Sequence, residues 1–212
     1  MKWLQKFFCN LRYHLSCLTK VTQQEEHIII SKVLAGNSEA FASLVYACQD
    51  LAVITAYNIL LNREDAEEIA QDAFVQAYQS LASFKKESRF SSWLYRIVVN
   101  KALNKKSIKR HYTIAITETD GGTVAGDLAG DFVFPQGAEN RKYIQAALQQ
   151  LQFNERLCLT LHYLNEFSIP EINQLTNLSQ ANIKVLLHRG RKNLYGILKS
   201  LLKDELTQLK QP

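Results

Sequence analysis

The chain has 212 residues, a formal charge of +5, 47% hydrophobic residues, eight glycines and three prolines, which fits one or two helix-rich domains and excludes a disordered or β-rich chain. The positive balance favours anionic partners, and four cysteines without a CxxC pair predict a reduced, cytoplasmic setting. No run approaches the roughly 18 consecutive apolar residues of a membrane span, and polar Gln5, Lys6, Asn10 and Arg12 break up any signal-peptide core.

Four zones follow in chain order, and together they predict an all-α protein of two small helical domains joined by a flexible linker. Residues 1–24 form an extension in which Trp3, Leu4, Phe7, Phe8, Leu11, Leu15 and Leu18 make an apolar stripe and every charged residue is basic. Such a segment suits an anionic membrane surface or docking on the chain's own domains. Residues 25–112 read as amphipathic helices broken near Gly36, near Asn62 and over residues 85–91. Residues 113–138 hold Gly121, Gly122, Gly126, Gly130 and Gly137 with Glu118, Asp120, Asp127 and Asp131 and no Lys or Arg, the composition of a linker. Residues 139–212 open with a helix centred on Ile144, Leu148 and Leu151 and continue into two closely spaced helices.

The second zone is polarised in charge. Glu64, Asp65, Glu67, Glu68 and Asp72 crowd together, whereas residues 85–111 carry Lys and Arg against the single acid Glu87, so two surfaces for two partners are expected. Asn62 can cap the acidic helix and its dipole favours acids in the first turn, but Glu68 and Asp72 lie beyond that turn. In the basic segment, Phe90, Trp93, Tyr95 and Arg96 stand among cations and hydroxyls. Rings interleaved with cations suit opened nucleic acid, where bases stack and phosphates are followed. Helical spacing alone instead makes Trp93, Leu94, Ile97 and Val98 core, and leaves Asn100, Lys101, Asn104, Lys105 and Lys109 as the better DNA face.

The last zone contains a helix-turn-helix pattern. Ser168 and Glu171 can form a capping box with Pro170 in the first turn, Asn177 and Ser179 bracket a short turn, and Ser179 can cap the next helix. In that helix, IKVLLHRGRKNL, an apolar stripe through Ile183, Leu187, Leu194 and Ile197 opposes a cationic arc of Lys184, His188, Arg191 and Lys192. Two helices about such a turn place the second in the major groove of DNA.

Chemistry-bearing clusters are absent from the pattern. Cys9, His14 and Cys17 point in different directions on a helix and do not complete a zinc site, and His27, His111, His162 and His188 have no ligand-spaced partners. With no phosphate loop or nucleophile motif either, neither an enzyme nor a bound metal or cofactor is expected. A helix-turn-helix regulator that only binds duplex DNA would explain the last zone but leave the acidic helix and the basic segment idle.

Taken together, EDAEEIAQDAFVQAYQSLASF, FSSWLYRIVVNKAL and the stretch from LQQLQFNERL to HRGRKNL resemble, in order and spacing, regions 2 and 4 of the extracytoplasmic-function (ECF) sigma factors of bacterial RNA polymerase. The resemblance covers about residues 28–202. It implies that Asp65, Glu68, Gln71 and Asp72 bind core polymerase. It implies that Lys85, Arg89 and Ser91 belong to a loop that captures a base of the melted minus-10 strand, with Arg96, Asn100 and Lys101 on the adjoining duplex. Lys184, Val185 and His188 would face the minus-35 element, with Arg189, Arg191 and Lys192 nearer phosphate. The linker would thread toward the template-strand and RNA-exit channels, and an anti-sigma factor would be a further partner. The chain departs from the family pattern at Asn104, where an Asp is usual, and at Lys105, Lys106, Lys109 and Arg110, which replace an Arg cluster. Asn182, Val185 and Leu186 replace the usual Thr, Ser and Arg of the recognition helix, so no minus-35 sequence preference carries over.

Overall fold

A computed structural model describes residues 22–117 and 139–208. The extension expected over residues 1–24 lies outside the described residues up to position 21, and the expected linker lies outside them from 118 to 138. All regular structure among the described residues is helical.

The first unit begins with α1 (Gln23–Leu34), opened by a capping box in which the Thr22 N–H donates to Glu25 Oε2 at 2.7 Å and the Glu25 N–H to Thr22 Oγ1 at 3.3 Å. Gly36, at φ +102, ends this segment, a backbone state that L side chains avoid. A single 3₁₀ turn then leads into α2 (Phe41–Leu60), whose C-cap Leu61 turns left-handed and returns its N–H to Tyr57 O. Asn62 Oδ1 accepts from the Asp65 N–H at 2.8 Å and starts α3 (Arg63–Gln79), as the sequence predicts. After a loop, α4 (Phe90–Thr117) runs as one helix.

Helix α2 is the centre of this unit and packs on α3 and α4. The segment from Ser38 to Leu60 is long and apolar enough to cross a membrane by length and composition, yet its apolarity is used internally. Leu44, Cys48, Ala52, Ala56 and Ile59 are buried there, and α3 buries the small residues Ala66, Ala70, Ala73 and Ala77. Leu94, Val98, Val99 and Ala102 of α4 close the core.

The second unit contains α5 (Glu139–Gln149), α6 (Phe153–Leu159), a π turn over Thr160–Leu164, α7 (Ile169–Thr176) and α8 (Gln180–Gln208). Helices α5, α6 and α7 all pack on α8. Ile144, Leu148, Leu157, Leu161, Ile172, Ile183, Leu187, Leu194 and Leu198 form the core. The buried Arg156 guanidinium donates to Leu151 O at 3.0 Å and Gln149 O at 3.3 Å, satisfying carbonyls at the end of α5.

Candidate nucleic-acid and partner interfaces

The acidic face of α3 is real but partly neutralised from within. Glu68, Gln71 and Asp72 are exposed, the Glu68 and Asp72 side chains by 65% and 56%, whereas Asp65 is largely covered. Lys105 of α4 sits between Asp65 Oδ1 at 3.0 Å and Glu68 Oε2 at 2.6 Å, and Lys101 reaches Asp72 Oδ2 at 3.4 Å. The bond to Glu68, and then that to Asp65, holds the Lys105 ammonium above its ordinary titration range. The two charge patches expected to be separate surfaces therefore meet along the α3–α4 seam. Sequence reading missed Val75 and Tyr78, which stand exposed one and two turns beyond Gln71 on the same face of α3. Their i+4 and i+7 spacing from Gln71 was the available signal.

The basic segment divides in a way its sequence did not show. Phe90 and Tyr95 are buried, so neither is a base-stacking platform. Phe90 packs edge-on against Phe41 and Phe84, and the Tyr95 hydroxyl pairs with the Cys48 thiol. Burial raises both of those groups, Cys48 to about 12. Trp93 alone of the three stays half-exposed, resting on Phe84 and Phe90 with ring centroids 5.2 and 5.8 Å away.

Ahead of α4, Lys85 and Lys86 are exposed, and Lys86 adopts a left-handed conformation at φ 60. Arg89 donates to Glu26 Oε1 at 2.9 Å, and the Phe90 N–H donates to Glu26 Oε2 at 3.2 Å. Glu26, buried in α1, thus fastens the loop and supplies an anion to the N-terminus of α4. Nothing local in the sequence marks it, because its partner lies 63 positions away. Ser91 lies in the first turn of α4 rather than in the loop. Arg96 is half-buried, Asn100 and Asn104 are exposed, and Lys101 faces Asp72 as described.

In the second unit the helix-turn-helix forms as its sequence predicts. The Ser168 N–H and hydroxyl donate to Glu171 Oε2 at 2.8 and 2.7 Å, and Asn177 ends α7 in a left-handed conformation at φ 57. Asn173 Nδ2 donates to Leu178 O at 2.7 Å across the turn, and Ser179 Oγ accepts from the Asn182 N–H at 3.2 Å to cap α8. Lys184, Val185, His188 and Lys192 project from α8 into solvent. Leu186, one of the departures from the expected recognition-helix pattern, is buried and faces away from that arc. Ile197 is half-buried, and Leu198 takes the fully buried place in the stripe.

The two remaining arginines each spend a donor inside the domain. Arg191 Nη1 donates to Tyr163 Oη at 3.0 Å. Arg189 Nε donates to Glu155 Oε1, leaving the rest of a half-exposed guanidinium outward. Among the described residues no three His, Cys, Asp or Glu side chains are grouped to hold a metal ion.

The comparisons with known proteins follow this division. A model of Sigma-70 region 2 matches residues 44–111, spanning most of α2 through α4, and a model of Sigma-70 region 4 matches residues 141–194. The ECF RNA polymerase sigma factor SigW of Bacillus subtilis is 33% identical over 179 residues, covering 81% of this chain and 96% of that protein. The RNA polymerase sigma-H factor of Pseudomonas aeruginosa is 28% identical over 191 residues, covering 87% and 99%. Among solved structures, the sigma factor RpoE of Bartonella quintana, crystallised with the anti-sigma factor NepR, shares the fold with a TM-score of 0.59 at 19% identity over 75% of this chain and 96% of that one. CnrH, in complex with the cytosolic domain of CnrY, does so with a TM-score of 0.52 at 22% identity over 82% and 97%. With both family regions in order and a relative of this similarity matched over nearly its whole length, the chain belongs to the ECF sigma factors, the subunits that direct RNA polymerase to promoters.

Proposed function

We propose the following division of labour within this sigma factor, which as a polymerase subunit works in the cytoplasm and is a specificity factor rather than an enzyme. The domain of residues 25–112 binds core polymerase and the minus-10 element, that of residues 139–212 reads the minus-35 element, and residues 113–138 link them. On α3, Glu68, Gln71 and Asp72 meet a cationic surface of core polymerase, with Asp65 acting behind them through Lys105. Val75 and Tyr78 extend that contact with apolar area. Lys85 and Arg89 flank the base-capturing loop, Ser91 lies at its helical end, and Arg96, Asn100 and Lys101 hold the adjoining duplex. In the upstream major groove, Lys184, Val185 and His188 face bases, while Lys192 and the outward parts of Arg189 and Arg191 face phosphate.

The observation that carries this reading is the exposure of Lys184, Val185, His188 and Lys192 on one arc of a capped second helix, opposite its buried stripe. The anti-sigma factor in complex with the related Bartonella quintana fold supports an anti-sigma partner for this chain. Adding the chain to purified bacterial core polymerase tests the reading. It should confer initiation at discrete promoters whose aligned upstream sequences yield two conserved elements, whereas a regulator independent of core polymerase would confer none.

A further inference from the structure

Helix α8 can read a groove reproducibly only if its rotation about its own axis is fixed, and one buried carboxylate is placed to do this. Glu155, in the first turn of α6, is 1% exposed, and its two oxygens are taken by two side chains of α8. Arg189 Nε donates to Oε1 and Asn193 Nδ2 donates to Oε2 at 2.9 Å. Residues 189 and 193 are four apart and so lie along one line of the helix. Gly190 sits beside that line. A Cβ there would stand 3.2 Å from Leu159 Cδ1 and 3.3 Å from Glu155 Cβ, so the backbone of α8 lies against α6 at this point. The exposed residues Lys184, Val185, His188 and Lys192 occupy a different arc.

We propose that Glu155 is a positioning residue for promoter recognition: by gripping Arg189 and Asn193 it sets the rotation of α8, and with it the side chains that meet the bases. This rests on the reading of α8 as the minus-35 helix. A carboxylate offers acceptors to both donors and a charge to Arg189, whereas Gln at this position removes that charge and keeps the Asn193 arm only with the Asn193 amide turned over to present its Oδ1. Rotation of a helix in a groove moves every base contact together. Phosphate contacts, made by long cationic side chains, adjust to such a rotation more readily.

The experiment uses holoenzyme reconstituted from the full chain and core polymerase on a promoter library randomised across the minus-35 region with a fixed minus-10 element. Sequencing of transcribed templates gives the ratio between the best and poorest upstream sequences. For Glu155→Gln this ratio should shrink by about fivefold, within the range set by loss of one base contact, with minus-10 preference unchanged. A residue that only stabilises the fold would lower transcription on all templates in parallel and leave the ratio intact, and that result would overturn the proposal. Asn193→Ala, which removes one arm and keeps Arg189 on the buried charge, should shrink the ratio less and in the same direction. Should Glu155→Gln fail to fold, an unchanged ratio for folded Asn193→Ala overturns the proposal instead. Lys184→Ala is run in parallel. If it changes minus-35 preference and the Glu155 and Asn193 variants do not, the positioning role fails alone, whereas if it changes nothing, the reader assignment and the positioning role fall together.

Discussion

Lys101 Nζ lies 3.4 Å from Asp72 Oδ2, so a lysine assigned to promoter DNA and an aspartate assigned to core polymerase are each other's counterion in the free chain. Lys105 repeats the arrangement with Asp65 and Glu68. The pairs through the exposed Asp72 and Glu68 contribute at most about 1 kcal/mol each, so a partner surface can exchange them at small cost. Neutralising the exposed acids by Glu68→Gln with Asp72→Asn should release Lys101 and loosen Lys105. The isolated chain should then bind nonspecific DNA more tightly, with a dependence on log salt steeper by about one to two phosphate contacts. Fluorescence anisotropy at several salt concentrations measures this, and an unchanged slope would mean that these lysines do not reach phosphate.

Reversing the same charges, Glu68→Lys with Asp72→Lys, should lower association with core polymerase by about tenfold or more, as juxtaposed like charges cost several kcal/mol across an interface. Both side chains are more than half exposed, so helical circular dichroism should be retained. Pull-down of core polymerase by the folded double variant at the wild-type level would remove α3 from the interface.

Local signals carried most of what the sequence revealed. The caps at Asn62, Ser168 with Glu171, and Ser179 were legible because donor and acceptor are three residues apart. Thr22 and Glu25 carry the same signature, although the domain boundary was expected at residue 25 and the helix starts at Gln23. The alternation of rings and cations in the basic segment was misleading for Phe90 and Tyr95. Helical spacing turns Phe90, Leu94 and Val98 inward together, and Tyr95 follows Val99 and Ala102. Glu26 and Glu155 look like ordinary surface acids until the chain folds, because their arginine partners lie 63 and 34 positions away. The π turn at Thr160–Leu164 adds a residue to a helical turn, which apolar spacing does not announce.

Glu26 offers a separate test of the loop before α4. Replacing it by Ala strips the Phe90 N–H and the Arg89 guanidinium of a buried acceptor, at a cost of about 1 to 3 kcal/mol. For a domain of this size thermal unfolding should begin about 4 to 8 °C lower per kcal/mol lost. A midpoint equal to wild type would show that Glu26 does not fasten the loop.

The buried thiols should be silent at neutral pH. Burial pushes Cys48 up to about 12 and Cys158 to about 11 from an ordinary 9.0. In a variant with Cys9→Ser and Cys17→Ser, a thiol-specific chromogenic reagent at pH 8 should react only after denaturant is added. Since both thiols ionise near 9 in the unfolded chain and only above it in the folded one, the unfolded state binds fewer protons across that window. Their contribution to stability is therefore complete below about pH 9 and declines as pH rises toward 11 and 12. Rapid thiol reaction of the native variant at pH 8 would place Cys48 or Cys158 at the surface.

Transcription in vitro on promoters mutated in one element at a time separates the two proposed readers, one at each promoter element. Asn100→Ala should impair open-complex formation, and a pre-melted minus-10 region should partly relieve the defect. Lys184→Ala and His188→Ala should change dependence on the minus-35 element, with about 1 to 3 kcal/mol of discrimination lost per true base contact. Lys192→Ala should weaken binding nearly uniformly across sequences and reduce its salt dependence. If the Lys184 and His188 variants alter minus-10 preference and leave minus-35 preference untouched, α8 does not occupy the upstream major groove and the account is contradicted.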